Sequence, residues 1–395
     1  MRYTCYSCGD TAVAVALDCG PQPVGHRFLS SPDEVEFLHP LVVGQCGACG
    51  LVQLRHPAPV DEIRPRFDWI SYNEPDAHLD ALAGELAVLP GISAGSHVGA
   101  VVFGGDKTLE RFLERGFTNT WRIDISRDLG VSEPFSGTET LQERLTPASA
   151  GQIVQNEGLF DLLVVRHLVE HAHDVKSFLA GIHAMLKPGG YAVFEVPDCE
   201  ESFTSCDYSI LWEEHVFYFM PATFRHCLET AGFAVIEMRR PKYSLVAVTR
   251  RSDVARIQPQ PEVLEGEINR MSRFASSLPG TRRKVREALA SAGGPAAFFG
   301  AGHMACTYLS LLGLGDVVEC VIDDHPMKRG LLMPGTRLPV EGGEALVRRG
   351  IRVCLSALSS ESEARVVSRH GAFIASGGCF RSIFPERSNY LVLNS

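Results

Sequence analysis

The chain has 395 residues and a formal net charge of −10 at pH 7, with 37 lysines and arginines against 47 aspartates and glutamates. This acidic balance argues against nucleic acid as a partner, because phosphate binding requires a basic face. No apolar run approaches the roughly 18 residues of a membrane span, and the first residues lack the apolar core of a signal peptide. We therefore expect a cytoplasmic protein with no membrane partner, long enough for two or three domains.

Two Cys-x-x-Cys pairs open the chain, Cys5 with Cys8 and Cys46 with Cys49. In a reducing compartment such pairs are more consistent with metal ligands than with disulfides. Four thiolates complete a tetrahedral Zn²⁺ with no open position, which predicts a structural zinc site. Unrelated reduced thiols and a redox dithiol are weaker alternatives. Cys19 follows in a turn rich in proline and glycine and is expected to be a bystander.

The middle of the chain predicts an α/β sheet, most clearly over residues 160–198. An apolar run at 162–165 indicates a buried strand, and apolar residues then recur at helical spacing as far as 186. The sequence Lys-Pro-Gly-Gly at 187–190 predicts a turn before a second strand at 191–196. Strand, crossover helix and strand make a right-handed unit with its functional loops at the carboxyl ends of the strands.

Two further strands are predicted upstream of this unit. Residues 97–103 form the first, and a glycine turn at Gly104 and Gly105 follows it. The second spans 120–124 and ends in Asp124, a candidate ribose ligand that could equally be a turn residue or a cap. Residues 130–158 are polar, and their sequence says little about structure or function.

The last part of the chain predicts a second Rossmann-like fold. A strand, a glycine-rich turn with Gly300 and Gly302, and a helix precede a strand that ends in Asp323. Alone this pattern would suggest NAD, with packing as the competing interpretation. Two helices, at 251–278 and 281–290, are expected to connect it to the core. The predicted domains are 1–66, 67–250 and 251–395.

Two groups of residues could carry chemistry. His167 and His171 follow the strand at 162–165, where this fold gathers reacting groups, although no carboxylate is clearly placed to complete a metal site. Further on, Trp212 precedes the pair Glu214 and His215. A carboxylate beside an imidazole among aromatic residues suits a general base, whereas a solvated acidic pair is the simpler alternative.

These motifs together resemble a known family. The acid before the strand at 162–165, the Glu-His that follows it and the Leu-Lys-Pro-Gly-Gly segment are similar to class I S-adenosylmethionine (SAM) methyltransferases. The cysteine pairs, the Glu-His-Val-Phe segment at 214–217 and the carboxyl-terminal pattern are similar to sugar C-methyltransferases, which methylate nucleotide-linked 4-keto-deoxysugars. The resemblance implies catalytic roles for Tyr72, His171, Glu214 and His215. It implies cofactor binding by Gly104, Gly105, Asp124 and His167, and substrate binding by Trp212, Gly300, Gly302 and Asp323.

The sequence also departs from that family pattern. Val101 and Val102 stand where an acid usually ends the first strand, Asp106 and Lys107 replace later glycines, and Trp212 replaces a tyrosine. The resemblance implies a SAM-dependent C-methyltransferase acting alpha to a ketone in deoxysugar biosynthesis, a branch of secondary metabolism. A SAM-independent enzyme performing enolate chemistry, such as epimerisation, isomerisation or dehydration, is the alternative. A non-catalytic ligand-binding subunit is a third hypothesis, and the oligomeric state is not predicted.

Overall fold

The computed structural model describes residues 3–67, 69–70, 76–133, 136–252 and 259–394, so Tyr72 lies outside the described residues. The chain divides into two compact units. The first contains residues 1–15, 43–200 and 214–268, and the second contains 16–42, 201–213 and 269–395. The boundary between Glu213 and Glu214 falls inside the sequence segment that carries the predicted base.

Strands and helices follow one another along both units. The strands are β1 (Val13–Pro23), β2 (Leu38–Cys46), β3 (Val52–Leu54), β4 (Val98–Val101), β5 (Thr120–Arg122), β6 (Phe160–Arg166), β7 (Leu186–Pro197), β8 (Phe217–Tyr218), β9 (Phe233–Arg239), β10 (Ser244–Arg251), β11 (Ala296–Phe299), β12 (Val318–Ile322), β13 (Val340–Glu341), β14 (Val353–Ser356) and β15 (Cys379–Ser382). The helices are α1 (Val60–Ile63), α2 (Leu79–Leu86), α3 (Thr108–Leu113), α4 (Ile125–Leu129), α5 (Thr138–Arg144), α6 (Pro147–Glu157), α7 (Val175–Met185), α8 (Glu200–Ser205), α9 (Pro221–Thr230), α10 (Pro261–Ser291), α11 (His303–Leu312), α12 (Ala345–Arg348), α13 (Ser360–Arg369) and α14 (Gly371–Ala375).

The first unit is built on a sheet of order β5-β4-β6-β7-β10-β9. Strands β5, β4, β6 and β7 are parallel, and β10 is antiparallel to both of its neighbours. The run at 162–165 is continuously apolar because both faces of β6 are covered. Leu163 and Val165 face one apolar cluster, and Leu162 and Val164 face the other. The register places residue 166 opposite residue 195, which brings the carboxyl ends of β6 and β7 together.

The second unit contains a parallel sheet of order β13-β12-β11-β14-β15. Its central strand β11 leads directly into the glycine turn at Gly300 and then into α11. Gly300 has a φ of +95°, a conformation that disfavours residues with a side chain. The prediction of an α/β protein with a class I core and a second Rossmann-like fold is confirmed.

Three local predictions were wrong. Cys19 lies within β1 rather than in a turn. The Lys-Pro-Gly-Gly segment is part of β7, which begins at Leu186, rather than a turn between helix and strand. Pro279 does not separate two helices, because α10 continues through it to Ser291. An interior proline costs about 3 kcal/mol, and burial of Phe274, Leu278 and Val285 on either side offsets that cost. None of the described helices is both long and apolar enough to cross a membrane.

Candidate functional site

The two cysteine pairs come together as one cluster in the first unit. The sulfurs of Cys5 and Cys49 are 3.8 Å apart, and those of Cys8 and Cys46 are 3.7 Å apart. Four sulfurs about 2.3 Å from a tetrahedral Zn²⁺ would be separated by about 3.8 Å. All four can offer a ligand atom at mutual distances within 4.8 Å. The donor set and its spacing therefore fit a structural zinc ion.

The zinc-site sheet also holds the segment that follows His215. Its order is β1-β2-β3-β8, and β8 pairs antiparallel with β3 through Val52 with Tyr218 and Gln53 with Phe217. A backbone N–H at residue 54 donates to the carbonyl at residue 216 over 2.8 Å. Strand β3 directly follows the second cysteine pair, and β8 directly follows His215. The pairing of β3 with β8 therefore links the metal site to the predicted base.

Two of the predicted catalytic histidines lie side by side in the first unit. The rings of His171 and His215 meet edge to face with their centroids 4.7 Å apart. His171 is in a short 3-10 helix, Val169–His171, beyond β6, and His215 lies just before β8. Both are buried, as is Glu214. The carboxylate of Glu214 groups with His171, with ligand atoms within 4.8 Å.

Sequence reasoning missed a third acidic group, Glu139. It lies on α5, within the segment that carried little signal, and its Oε1 is 2.7 Å from Nδ1 of His171. Only 4% of Glu139 is exposed, and glutamates are rarely buried to this extent unless they are paired. Little in the sequence indicated this role. Three of the four buried positions of α5 hold polar residues, but that these positions are buried is known only from the structure.

The carboxylates around His171 control its charge. Burial lowers the pKa of this imidazole, but Glu139, Glu170 and Glu214 outweigh burial and raise it to about 9. His171 is therefore an imidazolium at neutral pH. The pKa of nearby His173 shifts the other way, to about 4, because of burial and the positive charge of His171.

Glu170 adds a further buried carboxylate to this cluster. Among the described residues, neither of its buried carboxylate oxygens has a hydrogen-bond partner, and Oε1 lies 3.4 Å from Nδ1 of His167. Glu170, His171 and His215 can offer ligand atoms within 4.8 Å of one another. The sequence did not place a carboxylate with these histidines, and the structure does.

The predicted cofactor loop follows β4. Gly104 has a φ of +71°, and a Cβ added at Gly104 or Gly105 would meet no atom of the described chain within 4 Å. A ligand could therefore approach this backbone closely, as the methionine part of SAM requires in the family. Asp106 turns away from that face: one carboxylate oxygen caps Thr108 N–H at 2.8 Å and the other pairs with Arg166.

The other two predicted cofactor residues lie beyond the carboxyl ends of β5 and β6, the two strands that flank β4. Asp124 follows β5 and caps α4, where its Oδ1 accepts the N–H of Arg127 at 2.8 Å. The cap that the sequence also allowed is present, and the side chain is exposed toward solvent. His167 follows β6 with a φ of +50°, and its Nε2 lies 3.4 Å from Glu195. The glycine backbone and the exposed Asp124 fit an adenosyl ligand.

The predicted substrate residues lie in the second unit. Trp212 stacks on His303, with ring centroids 4.9 Å apart and an angle of 22°. His303 is the first residue of α11, directly after Gly302. Asp323 closes the glycine turn, since one oxygen accepts Ala301 N–H at 2.8 Å and the other accepts His325 N–H at 2.8 Å. The structure thus brings Trp212 to the amino end of α11 and engages Asp323 within its own turn.

Comparison with family models divides the chain into three matches. Residues 5–63 match a zinc-binding domain, residues 102–238 match a methyltransferase domain, and residues 253–385 match the C-methyltransferase C-terminal domain. Together the three matches cover most of the chain, and they support an enzyme of the C-methyltransferase class.

One curated relative is similar to this chain over nearly its full length. It is the C-methyltransferase NovU of Streptomyces niveus, 24% identical over 404 residues that cover 97% of this chain and 95% of the relative.

Solved methyltransferases cover about half of this chain. The 1,6-didemethyltoxoflavin-N1-methyltransferase of Burkholderia thailandensis is 16% identical, covering 51% of this chain and 96% of its own, with a TM-score of 0.28. A SAM-dependent methyltransferase of Aquifex aeolicus is 16% identical, covering 45% and 94%, with a TM-score of 0.30. Likenesses this distant do not bear on which ligands the chain binds.

Proposed function

We propose that the enzyme transfers the methyl group of SAM to a carbon atom alpha to a ketone, on a small substrate of the nucleotide-linked deoxysugar class. The observation that carries this proposal is the buried pair His171 and His215, with carboxylates on both sides. Carbon nucleophiles need such a pair, because a C–H bond is far less acidic than an O–H bond and its conjugate base must be stabilised.

His215 acts as the general base in this mechanism. Its imidazole takes the alpha proton, and the electron pair of the C–H bond moves into the enolate. Glu214, its neighbour in the chain, orients it and offsets the positive charge that develops. His171, already an imidazolium, donates a hydrogen bond to the enolate oxygen. Tyr72 keeps its proposed place in the site, although it lies outside the described residues.

The cofactor residues are assigned by the same argument. Gly104 and Gly105 leave open backbone, and Asp124 presents a carboxylate at the end of the adjacent strand. Bound SAM would supply an electrophilic methyl group on a positively charged sulfur. The zinc ion has no part in the reaction, because four thiolates leave it no open position.

One observation favours the alternative of SAM-independent enolate chemistry. Val101 and Val102 are buried at the end of β4, and Asp106 is committed to Arg166, so the described loop offers SAM no uncommitted acid. The proton-abstraction residues are unaffected by this difference. Gly300, Gly302 and Asp323 are proposed to bind the substrate in either case. In both cases the substrate must carry a ketone, so the preceding reaction must produce one.

Two measurements on zinc-loaded protein separate these possibilities. Calorimetric titration with SAM should show micromolar binding, and a nucleotide-linked 4-keto-deoxysugar in D₂O should exchange its alpha proton for deuterium. Exchange without SAM binding at millimolar concentration would overturn methyl transfer and support the alternative. Absence of exchange, with and without SAM, would remove the assignment of His215 as base for this substrate class.

A further inference from the structure

Helix α5 presents an unusually polar face to the protein interior. Glu139, Thr140 and Gln142 are all buried, the last two at 1% and 2% exposure. Burying polar groups is costly unless they find partners, so such a face is maintained by what it contacts. Of the four buried residues on this seven-residue helix, one, Leu141, is apolar. Apolar packing alone therefore does little to explain the position of α5.

The contacts of α5 converge on the histidine segment beyond β6. Glu139 Oε1 lies 2.7 Å from Nδ1 of His171, and the backbone N–H of His173 donates to Gln142 Oε1 at 2.9 Å. Gln142 in turn donates from Nε2 to the carbonyl of Glu139 at 2.9 Å. The helix therefore fixes both the ring of His171 and the backbone two residues later.

The charged groups that face His171 come from three elements. Glu139 is on α5, Glu170 precedes His171 on its own 3-10 helix, and Glu214 and His215 come from the segment before β8. The neutral His173 completes this surrounding set. Glu139 is the group in hydrogen-bond contact with Nδ1, so it determines which ring nitrogen remains to meet a ligand.

We propose that Glu139 is a positioning residue that holds His171 as an imidazolium, with Nδ1–H bound to its carboxylate and Nε2–H directed to the developing enolate oxygen. This inference rests on the proposed function. It gives α5 a role that neither the sequence pattern nor the family resemblance assigned. The carboxylate favours the charged ring and fixes its orientation, much as an outer carboxylate orients a functional histidine in other enzymes.

The test compares Glu139→Gln with Glu143→Gln, a matched change on an exposed glutamate of the same helix. NMR titration of the imidazole ¹³C and ¹⁵N signals follows the protonation of His171, assigned by their loss in His171→Gln. In Glu139→Gln we expect the titration midpoint of His171 to fall well below the wild-type value of about 9. In Glu143→Gln we expect it to stay at the wild-type value. Thermal unfolding of each variant confirms that it folds.

Activity gives the second readout. Deuterium exchange into the substrate should fall about 10- to 100-fold in Glu139→Gln, with its pH profile displaced, and recover in Glu139→Asp. An unchanged His171 midpoint in folded Glu139→Gln would overturn the proposal, as would lost exchange with an unshifted pH profile. The titration needs neither SAM nor substrate, so it tests the role of Glu139 separately from the proposed function. The proposed function would instead be overturned if the wild-type protein failed to exchange the substrate proton.

Discussion

Nε of Arg166 donates to Oε2 of Glu195 at 2.6 Å, and both side chains are almost fully buried. The pair joins the carboxyl ends of β6 and β7, and Arg166 also contacts Asp106 in the predicted cofactor loop. Burial raises the pKa of Glu195, but hydrogen bonds from His167, His78 and Arg166 reverse that effect and hold it well below its usual range. One guanidinium therefore neutralises two buried carboxylates, and one of them is in the predicted cofactor loop.

Replacing this guanidinium should destabilise the first unit strongly. Arg166→Met leaves Asp106 and Glu195 buried with a positive partner lost, and breaking such a pair typically costs roughly 3–5 kcal/mol. Urea unfolding measures the loss. Arg283→Met is the control, because Arg283 and its partner Glu287 are both largely exposed to solvent and their pair should contribute at most about 1 kcal/mol. Equal losses for the two variants would contradict the structural role given to Arg166.

The zinc site should be required for activity although a closed four-thiolate site takes no part in the chemistry. In Cys46→Ser, loss of one thiolate should release the metal and loosen β3, which pairs with β8 just after His215. We expect about one fewer equivalent of zinc by mass spectrometry and at least a roughly 10-fold lower exchange rate.

Cys19→Ser is the control for this change. Cys19 lies outside the four-cysteine cluster, and burial, with the nearby charge of Asp18, raises its thiol pKa to about 12. This variant should keep its zinc and its activity. Full activity in a zinc-free Cys46→Ser protein would show that β3 and β8 hold His215 without the metal.

Local pattern was sufficient for the strands and the cysteine cluster but not for the full polar site. Buried parallel strands are continuous apolar runs, and two Cys-x-x-Cys pairs near one terminus are typical of a zinc site, so both are visible along the chain. Glu139 was not visible, because its partner His171 is 32 residues away and only the packing of α5 joins them. The geometry of a polar pair across such a distance is a tertiary property.

Two of the three wrong local predictions have the same origin. Glycine and proline are strong local signals for turns and helix ends, yet at 187–190 and at Pro279 tertiary packing decided otherwise. The domain boundaries and the roles of the predicted site residues stay predictions.

Loss of the general base should abolish proton abstraction while leaving cofactor binding intact. In His215→Asn we expect deuterium exchange to fall by about 100-fold or more, because positioned acid–base groups contribute roughly that much. SAM affinity, measured by calorimetry, should be within a few-fold of wild type. His183→Asn, a change near the end of α7, serves as the control and should exchange normally. Retained exchange in His215→Asn would transfer the role of base to another group.

The pH dependence of stability should report the charge on His171. Its pKa is raised in the folded protein to about 9, from about 6.5, so it stabilises the fold fully below pH 6.5 and loses that contribution as the pH rises through 9. The contribution is roughly 3.5 kcal/mol at most, from about 1.4 kcal/mol for each pH unit between the two values. Because zinc binding also depends on pH, the informative quantity is the difference in unfolding free energy between wild type and Glu139→Gln. That difference should be largest near pH 6 and shrink steadily toward about pH 9.5 in zinc-replete urea titrations. A difference that is constant over this range would mean that Glu139 contributes packing alone and does not stabilise a charged His171.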